Sequence, residues 1–136
     1  MPRSLTVALT TTDLAFLVYW TLSGLARAGM IHIPPAWMYA HYDQPTVVAW
    51  NWSFLPLDLL FSLTGLTSVA AARRGNPLWR PLALLSLAFT IAAGGMAVAY
   101  WTLLKEFDPA WFLPNLALVL WPLAFLGSLM SEPKRG

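Results

Sequence analysis

The sequence predicts an all-α integral membrane protein, a single domain built as a four-helix transmembrane bundle with a long outer loop between the first two helices. Three observations predict it. Four stretches are apolar over about 20 residues or more, the length needed to cross a hydrocarbon core of roughly 30 Å. Of the 136 residues, 58% are hydrophobic and 10% charged, where soluble domains carry about 25% charged residues. Eight tryptophans and eleven prolines suit a polytopic bundle, in which Trp collects at the interfaces and Pro is accepted within helices. One such bundle uses residues 1–136 and leaves no length for a second domain.

The first helix is predicted over about residues 5–26, LTVALTTTDLAFLVYWTLSGLA. Ala26-Arg27-Ala28 has the A-x-A form of a signal-cleavage site, but Asp13 and the run Thr10 to Thr12 interrupt what would be the apolar core of the signal. The segment therefore reads as a retained helix. Residues 27–46 form the outer loop, where Pro34-Pro35 breaks any helix and a short helical turn is expected after Pro35. Trp37, Tyr39 and Tyr42 of that loop are expected at the headgroup level. The second helix spans about 47–72, VVAWNWSFLPLDLLFSLTGLTSVAAA, and ends at the basic turn Arg73-Arg74-Gly75-Asn76-Pro77. The third covers about 81–104, with Trp79 and Trp101 near its ends, and the fourth about 111–130, after the turn Lys105-Glu106-Phe107-Asp108-Pro109.

Basic residues orient the bundle. Arg3, Arg73, Arg74, Arg80, Lys134 and Arg135 fall on one side, Arg27 and Lys105 on the other, and Lys and Arg accumulate on the cytoplasmic side. Both termini are therefore expected in the cytoplasm, in a multi-pass protein of the cell inner membrane whose first partner is the lipid bilayer. The pI near 9.3 reflects those helix ends; the basic residues form no stripe, so nucleic acid is not an expected partner. The absence of cysteine excludes disulfides, thiolate nucleophiles and thiolate-held metal or haem. His32, His41 and Asp43 lack the spacing of a compact metal site, and there is no glycine-rich phosphate loop or HExxH motif, so neither metal nor cofactor is expected.

The candidate chemistry gathers on the second helix. Asn51, Leu55, Asp58, Ser62 and Gly65 follow at steps of four, three, four and three, which puts them on one face. Pro56 has no N–H for the carbonyl of Trp52, so a kink is expected near the start of this helix, with an acceptor left free close to Asn51. On the first helix Asp13, Leu17, Trp20 and Gly24 share a face, and Gly24 is expected to mark a close helix contact. Ser86, Thr90 and Gly94 make a small-residue packing face on the third, and Asn115, Leu118 and Pro122 share one side of the fourth. Trp20, Trp50 and Trp52 are expected as belt and packing residues.

A charge at the bilayer centre costs about 2.5 to 3.5 kcal/mol even on the lenient insertion scale. Asp13 and Asp58 should therefore face protein, water or ligand. No Lys or Arg lies inside any span, so at least one of the two carboxyls is expected to be neutral at pH 7, able to exchange a proton or to pair with a cationic ligand. At about 1.5 Å per residue, Asp13 lies about 12 Å and Asp58 about 21 Å from the cytoplasmic ends of their helices. That offset of roughly 9 Å leaves open whether the two share one cavity.

The run Asp13-Leu14-Ala15-Phe16-Leu17-Val18-Tyr19-Trp20, the pairs Ile33-Pro34 and Tyr42-Asp43-Gln44-Pro45, and above all Trp50-Asn51-Trp52-Ser53-Phe54-Leu55-Pro56-Leu57-Asp58 carry a resemblance, completed by Asp108 with Trp111 through Asn115. On these residues the chain resembles the YvaD-like family of small bacterial four-helix membrane proteins, a domain of unknown function. The resemblance implies the topology and carries no activity. At the level of the fold the chain is also similar to the sterol-isomerase and sigma-2-receptor group, which implies a small bundle with intramembrane acids and a pocket for cationic amphiphiles. The sterol-isomerase pattern includes a membrane His, which this sequence lacks.

The expected function is a binding module whose polar pocket, lined by Asp58, Asn51, Asp13, Trp20 and Asn115, receives a small lipophilic or cationic ligand. The alternatives are a lipid- or isoprenoid-modifying enzyme with Asp13 and Asp58 as acid and base, and a structural accessory subunit of a membrane complex. A proton or ion pathway is the least favoured role for one short bundle and would require a homo-oligomer as its partner form.

Overall fold

The computed structural model describes residues 1–131, so Lys134 and Arg135, which entered the charge count, lie outside the described residues. The chain runs α1 (Arg3–Arg27), a 3-10 turn (Pro35–Trp37), α2 (Pro45–Ser53), α3 (Leu55–Arg73), α4 (Trp79–Leu104) and α5 (Pro109–Met130). Among the described residues there is no strand. Four segments, Arg3–Arg27, Pro45–Arg73, Trp79–Leu104 and Pro109–Met130, are long and apolar enough to cross a membrane. They match the four helices expected, with no end moved by more than two residues, and the expected turn after Pro35 is present.

The helix ends follow from local chemistry. Pro45 and Pro109 open α2 and α5, a position where the missing N–H costs nothing, and Asp108 Oδ1 accepts from Ala110 N at 3.0 Å as the cap of α5. Helices α1, α3 and α4 each close on a residue with left-handed dihedrals, Gly29, Gly75 and Lys105. In each, the following N–H reaches back five residues, Met30 to Leu25, Asn76 to Ala71 and Glu106 to Trp101, which satisfies carbonyls the helix leaves open.

The second span is interrupted where Pro56 requires it. Without an N–H at residue 56 the ladder cannot continue through Trp52, and the proline ring crowds that carbonyl; the helix breaks at Phe54, which keeps right-handed dihedrals. The expectation of a free acceptor there is corrected. Backbone N–H groups at the break close on the carbonyls of Asn51 and Trp52.

Helix α1 packs on α3, α3 on α4, and α4 on α5. The core divides into three clusters along the bundle. Leu5, Leu9, Val69, Ala83, Leu87 and Leu129 fill the end away from the long loop; Trp20, Phe54, Phe61, Ala93 and Ala97 fill the middle; Tyr39, Val47 and Trp101 lie at the loop end. Tyr39 and Trp101, expected at the periphery, are 6% and 5% exposed. The loop folds back over the helix ends and takes both inside, whereas Trp37 stays 72% exposed.

Close helix approach occurs at two glycines. A Cβ on Gly65 would strike Asp13 Oδ2 and stand 2.8 Å from Ser86 Oγ, and one on Gly94 would stand 2.6 Å from the Asn115 carbonyl oxygen. Gly24 faces open space, so the contact expected there is corrected to Gly65, where α1 presents Asp13 to a helix with no side chain in the way.

At the opposite end from the loop, Arg80 Nε donates to the Leu129 carbonyl at 2.8 Å and Arg80 Nη2 to the carbonyl of Ser131. These bonds tie the start of α4 to the last turn of α5. Arg80→Ala should lower stability by about 1.5 kcal/mol, the scale of hydrogen bonds from a charged donor, and speed amide exchange in the last turn of α5 relative to its first. Native-state hydrogen exchange checks this.

Candidate functional site

The polar face of the second span is assembled as the spacing requires. Asp58, Ser62 and Gly65 are buried and Asn51 is partly buried, and across from them Ser86, Thr90 and Gly94 form the buried face of α4. Ser86 Oγ donates to the Phe61 carbonyl at 2.9 Å and Thr90 Oγ1 to the Ser86 carbonyl at 2.8 Å. Both hydroxyls are thus spent on backbone acceptors.

Asp58 is 3% exposed. One carboxyl oxygen, Oδ2, accepts from Trp20 Nε1 at 2.9 Å. The other, Oδ1, has no hydrogen-bond partner among the described residues. Beside it is a cavity of about 270 Å³, walled by Phe16, Tyr19 and Trp20 from α1, Asn51 and Asp58 from the second span, Ala93, Ala97 and Trp101 from α4, and Trp111, Pro114, Asn115 and Leu118 from α5. The two alanines, four residues apart, leave the volume a larger side chain would fill. Tyr19 Oη donates to Asn51 Oδ1 at 3.2 Å and Asn115 Nδ2 donates to the Trp111 carbonyl at 2.7 Å. The Asn115 amide oxygen is therefore left to accept, alongside Asp58 Oδ1.

Asp13 is elsewhere. It is 1% exposed and does not line the cavity. Its carboxyl lies against Gly65, and neither oxygen has a hydrogen-bond partner among the described residues. Seven residues of α1, about 10 Å of helix, separate it from Trp20, the partner of Asp58. Phe16 and Phe61, in edge contact at 4.9 Å, stand between the two levels. The two carboxyls thus have separate surroundings, the point the rise per residue left open.

Of the five site residues the sequence pointed to, the structure brings four together: Asp58, Asn51, Trp20 and Asn115. Tyr19, Tyr39 and Trp111 were missed. Trp111 was within reach of the pattern, one helical turn before Asn115, but Tyr39 belongs to a loop whose return path carries no periodicity. Burial pushes the Tyr39 phenol above its ordinary value, and the neighbouring Tyr19 adds to the shift.

A second cavity of about 580 Å³ lies under the loop and shares Tyr19, Tyr39, Asn51 and Trp111 with the first. Trp111 Nε1 donates to the Met38 carbonyl at 3.2 Å, so the loop is fastened to α5 at the junction of the two. Trp52, expected in the belt, lies under the Arg27 guanidinium at 5.1 Å and meets Trp20 edge-on at 5.2 Å. His41 Nε2 pairs with Glu106 Oε1 at 2.8 Å and its Nδ1 with Gln44 Nε2 at 3.2 Å, holding two loops together. His32 lies on the wall of the second cavity.

The fold and site define a small all-helical protein with four helices of membrane-crossing length and a polar-ended aromatic cavity at its loop end. The chain belongs to a family of unknown function, DUF5360, which it matches over residues 5–136. It is 40% identical over 124 residues to the Uncharacterized protein YvaD of Bacillus subtilis (strain 168), covering 91% of this chain and 90% of that protein. No solved structure matches the chain.

Proposed function

We propose that this protein is a single-domain, multi-pass protein of the cell inner membrane with both termini in the cytoplasm, and that its cavity binds a small lipophilic molecule carrying an ammonium or similar donor. Four helices of sufficient length and hydropathy, and six basic residues against two on the two sides, support the placement. The observation that carries the binding is Asp58, which lines a cavity while its buried Oδ1 has no hydrogen-bond partner among the described residues. A buried acceptor left unmade costs about 1 to 3 kcal/mol, more if charged, and a donor on a ligand recovers it. Asn115 offers a second acceptor, and among the described residues no Lys or Arg lines this cavity. The aromatic walls take the apolar part and present ring faces to a cation.

Enzymatic use of Asp13 and Asp58 as an acid and base pair needs the two within reach directly or through one water. Asp13 is not among the residues that line the Asp58 cavity and lies against Gly65 instead, which supports binding over that alternative.

In lipid nanodiscs, long-chain alkylamines should raise the unfolding temperature, with a free-energy gain of about 2.7 kcal/mol at a hundredfold excess over Kd. Asp58→Asn should cancel that gain while the protein still unfolds cooperatively. An undiminished gain in Asp58→Asn, or none in the parent protein across a lipid and amine series, removes the proposal.

A further inference from the structure

A second charge at the loop end bears on what else such a ligand carries. Arg27, the last residue of α1, lies on the wall of the larger cavity with its guanidinium over Trp52. No carboxylate pairs with it among the described residues. Trp52 meets Trp20 edge-on at 5.2 Å, and Trp20 donates to Asp58. Two indoles therefore stand between an unpaired cation and a carboxyl, and Arg27 lies seven residues, about 10 Å of helix axis, beyond Trp20. The two cavities share Tyr19, Tyr39, Asn51 and Trp111 as walls, so a molecule that spans both would meet both charges.

We infer that the ligand is a zwitterionic amphiphile, with an ammonium at Asp58, an oxyanion at Arg27 and an apolar chain joining them past the Tyr19 and Asn51 hydrogen bond. This rests on the ammonium reading of Asp58. Guanidinium is suited to the outer end because its planar fork binds carboxylate or phosphate in two parallel hydrogen bonds, and its position over the Trp52 ring holds it on the wall of the larger cavity. A plain amine leaves that fork unused. A plain acid would bring a further acceptor to a cavity that already presents two.

The test is calorimetric titration of the protein in uncharged nanodiscs with ω-amino acids and ω-aminoalkyl phosphates of increasing chain length, beside alkylamines of matched length. Affinity should peak where the two charges stand about 10 Å apart, at least tenfold above the matched amine. In Arg27→Gln the ratio of the two affinities should fall to about one, and Arg27→Lys should restore part of it. Because Arg27 is exposed, an unchanged unfolding temperature separates loss of binding from loss of fold. If amines bind and the zwitterions are no tighter at any length, or if their advantage survives in Arg27→Gln, the inference is overturned while the ammonium pocket stands. If neither class binds, the pocket reading falls and the inference with it.

Discussion

Gly65→Ala should destabilise the bundle by about 1 to 2 kcal/mol, although Ala is the better helix former by about 1 kcal/mol. The added methyl would strike Asp13 Oδ2 and stand 2.8 Å from Ser86 Oγ and 2.9 Å from Asp13 Cγ. Overpacking of a well-filled interior costs about 1 to 3 kcal/mol. The Asp13 side chain is short, and one turn along the same helix Leu9 is fully buried in its own cluster, so retreat of the carboxyl would move α1 as a body. Gly65→Val should cost more, since it adds bulk without the full propensity gain. The discriminating measurement is a double-mutant cycle. Asp13→Ala empties the notch, so the pair Gly65→Ala with Asp13→Ala should recover most of the loss, with a coupling of at least about 1 kcal/mol. Unfolding in mixed micelles reads this out, and additive effects would show that the two residues do not meet.

Trp20 is the second position of large effect. Trp20→Ala should cost about 3 to 5 kcal/mol, the range for removing a large buried aromatic, because the ring joins α1 to Phe54, Phe61 and Trp52 in the central cluster. Trp20→Phe retains most of that packing but removes the Nε1 donor, leaving Asp58 with neither oxygen partnered, at about 1 to 3 kcal/mol. Replacing both partners should largely undo that second loss: Trp20→Phe with Asp58→Leu removes the orphaned acceptor together with its donor. Thermal unfolding of the four proteins separates ring packing from the hydrogen bond. A Trp20→Phe variant as stable as the parent would mean that the indole N–H holds nothing.

Much of this was legible in the sequence because a helix is rigid. Steps of three and four fixed the buried faces at Asp58, Ser62 and Gly65 and at Ser86, Thr90 and Gly94. What failed has a physical cause in each case. Gly24 permits close approach without compelling it, and the contact formed where a partner side chain needed the room. Aromatic residues near helix ends suit a water-facing rim and a packed interior equally well, so Tyr39 and Trp101 could be assigned only by a loop that folds back on them. The polar wall of the cavity was legible, but its wall at Ala93 and Ala97 was not, since small residues mark open space only once the helices facing them are placed.

Each helix of this bundle is packed chiefly on the span before it in the chain. Contacts so local in sequence give low contact order, and topologies of that kind form without a long search. A chain emerging in order can seat each hairpin on what is already in place, α3 on α1, α4 on α3 and α5 on α4. Assembly therefore needs no partner from later in the sequence until α5 arrives, and only then does the cavity acquire its last wall.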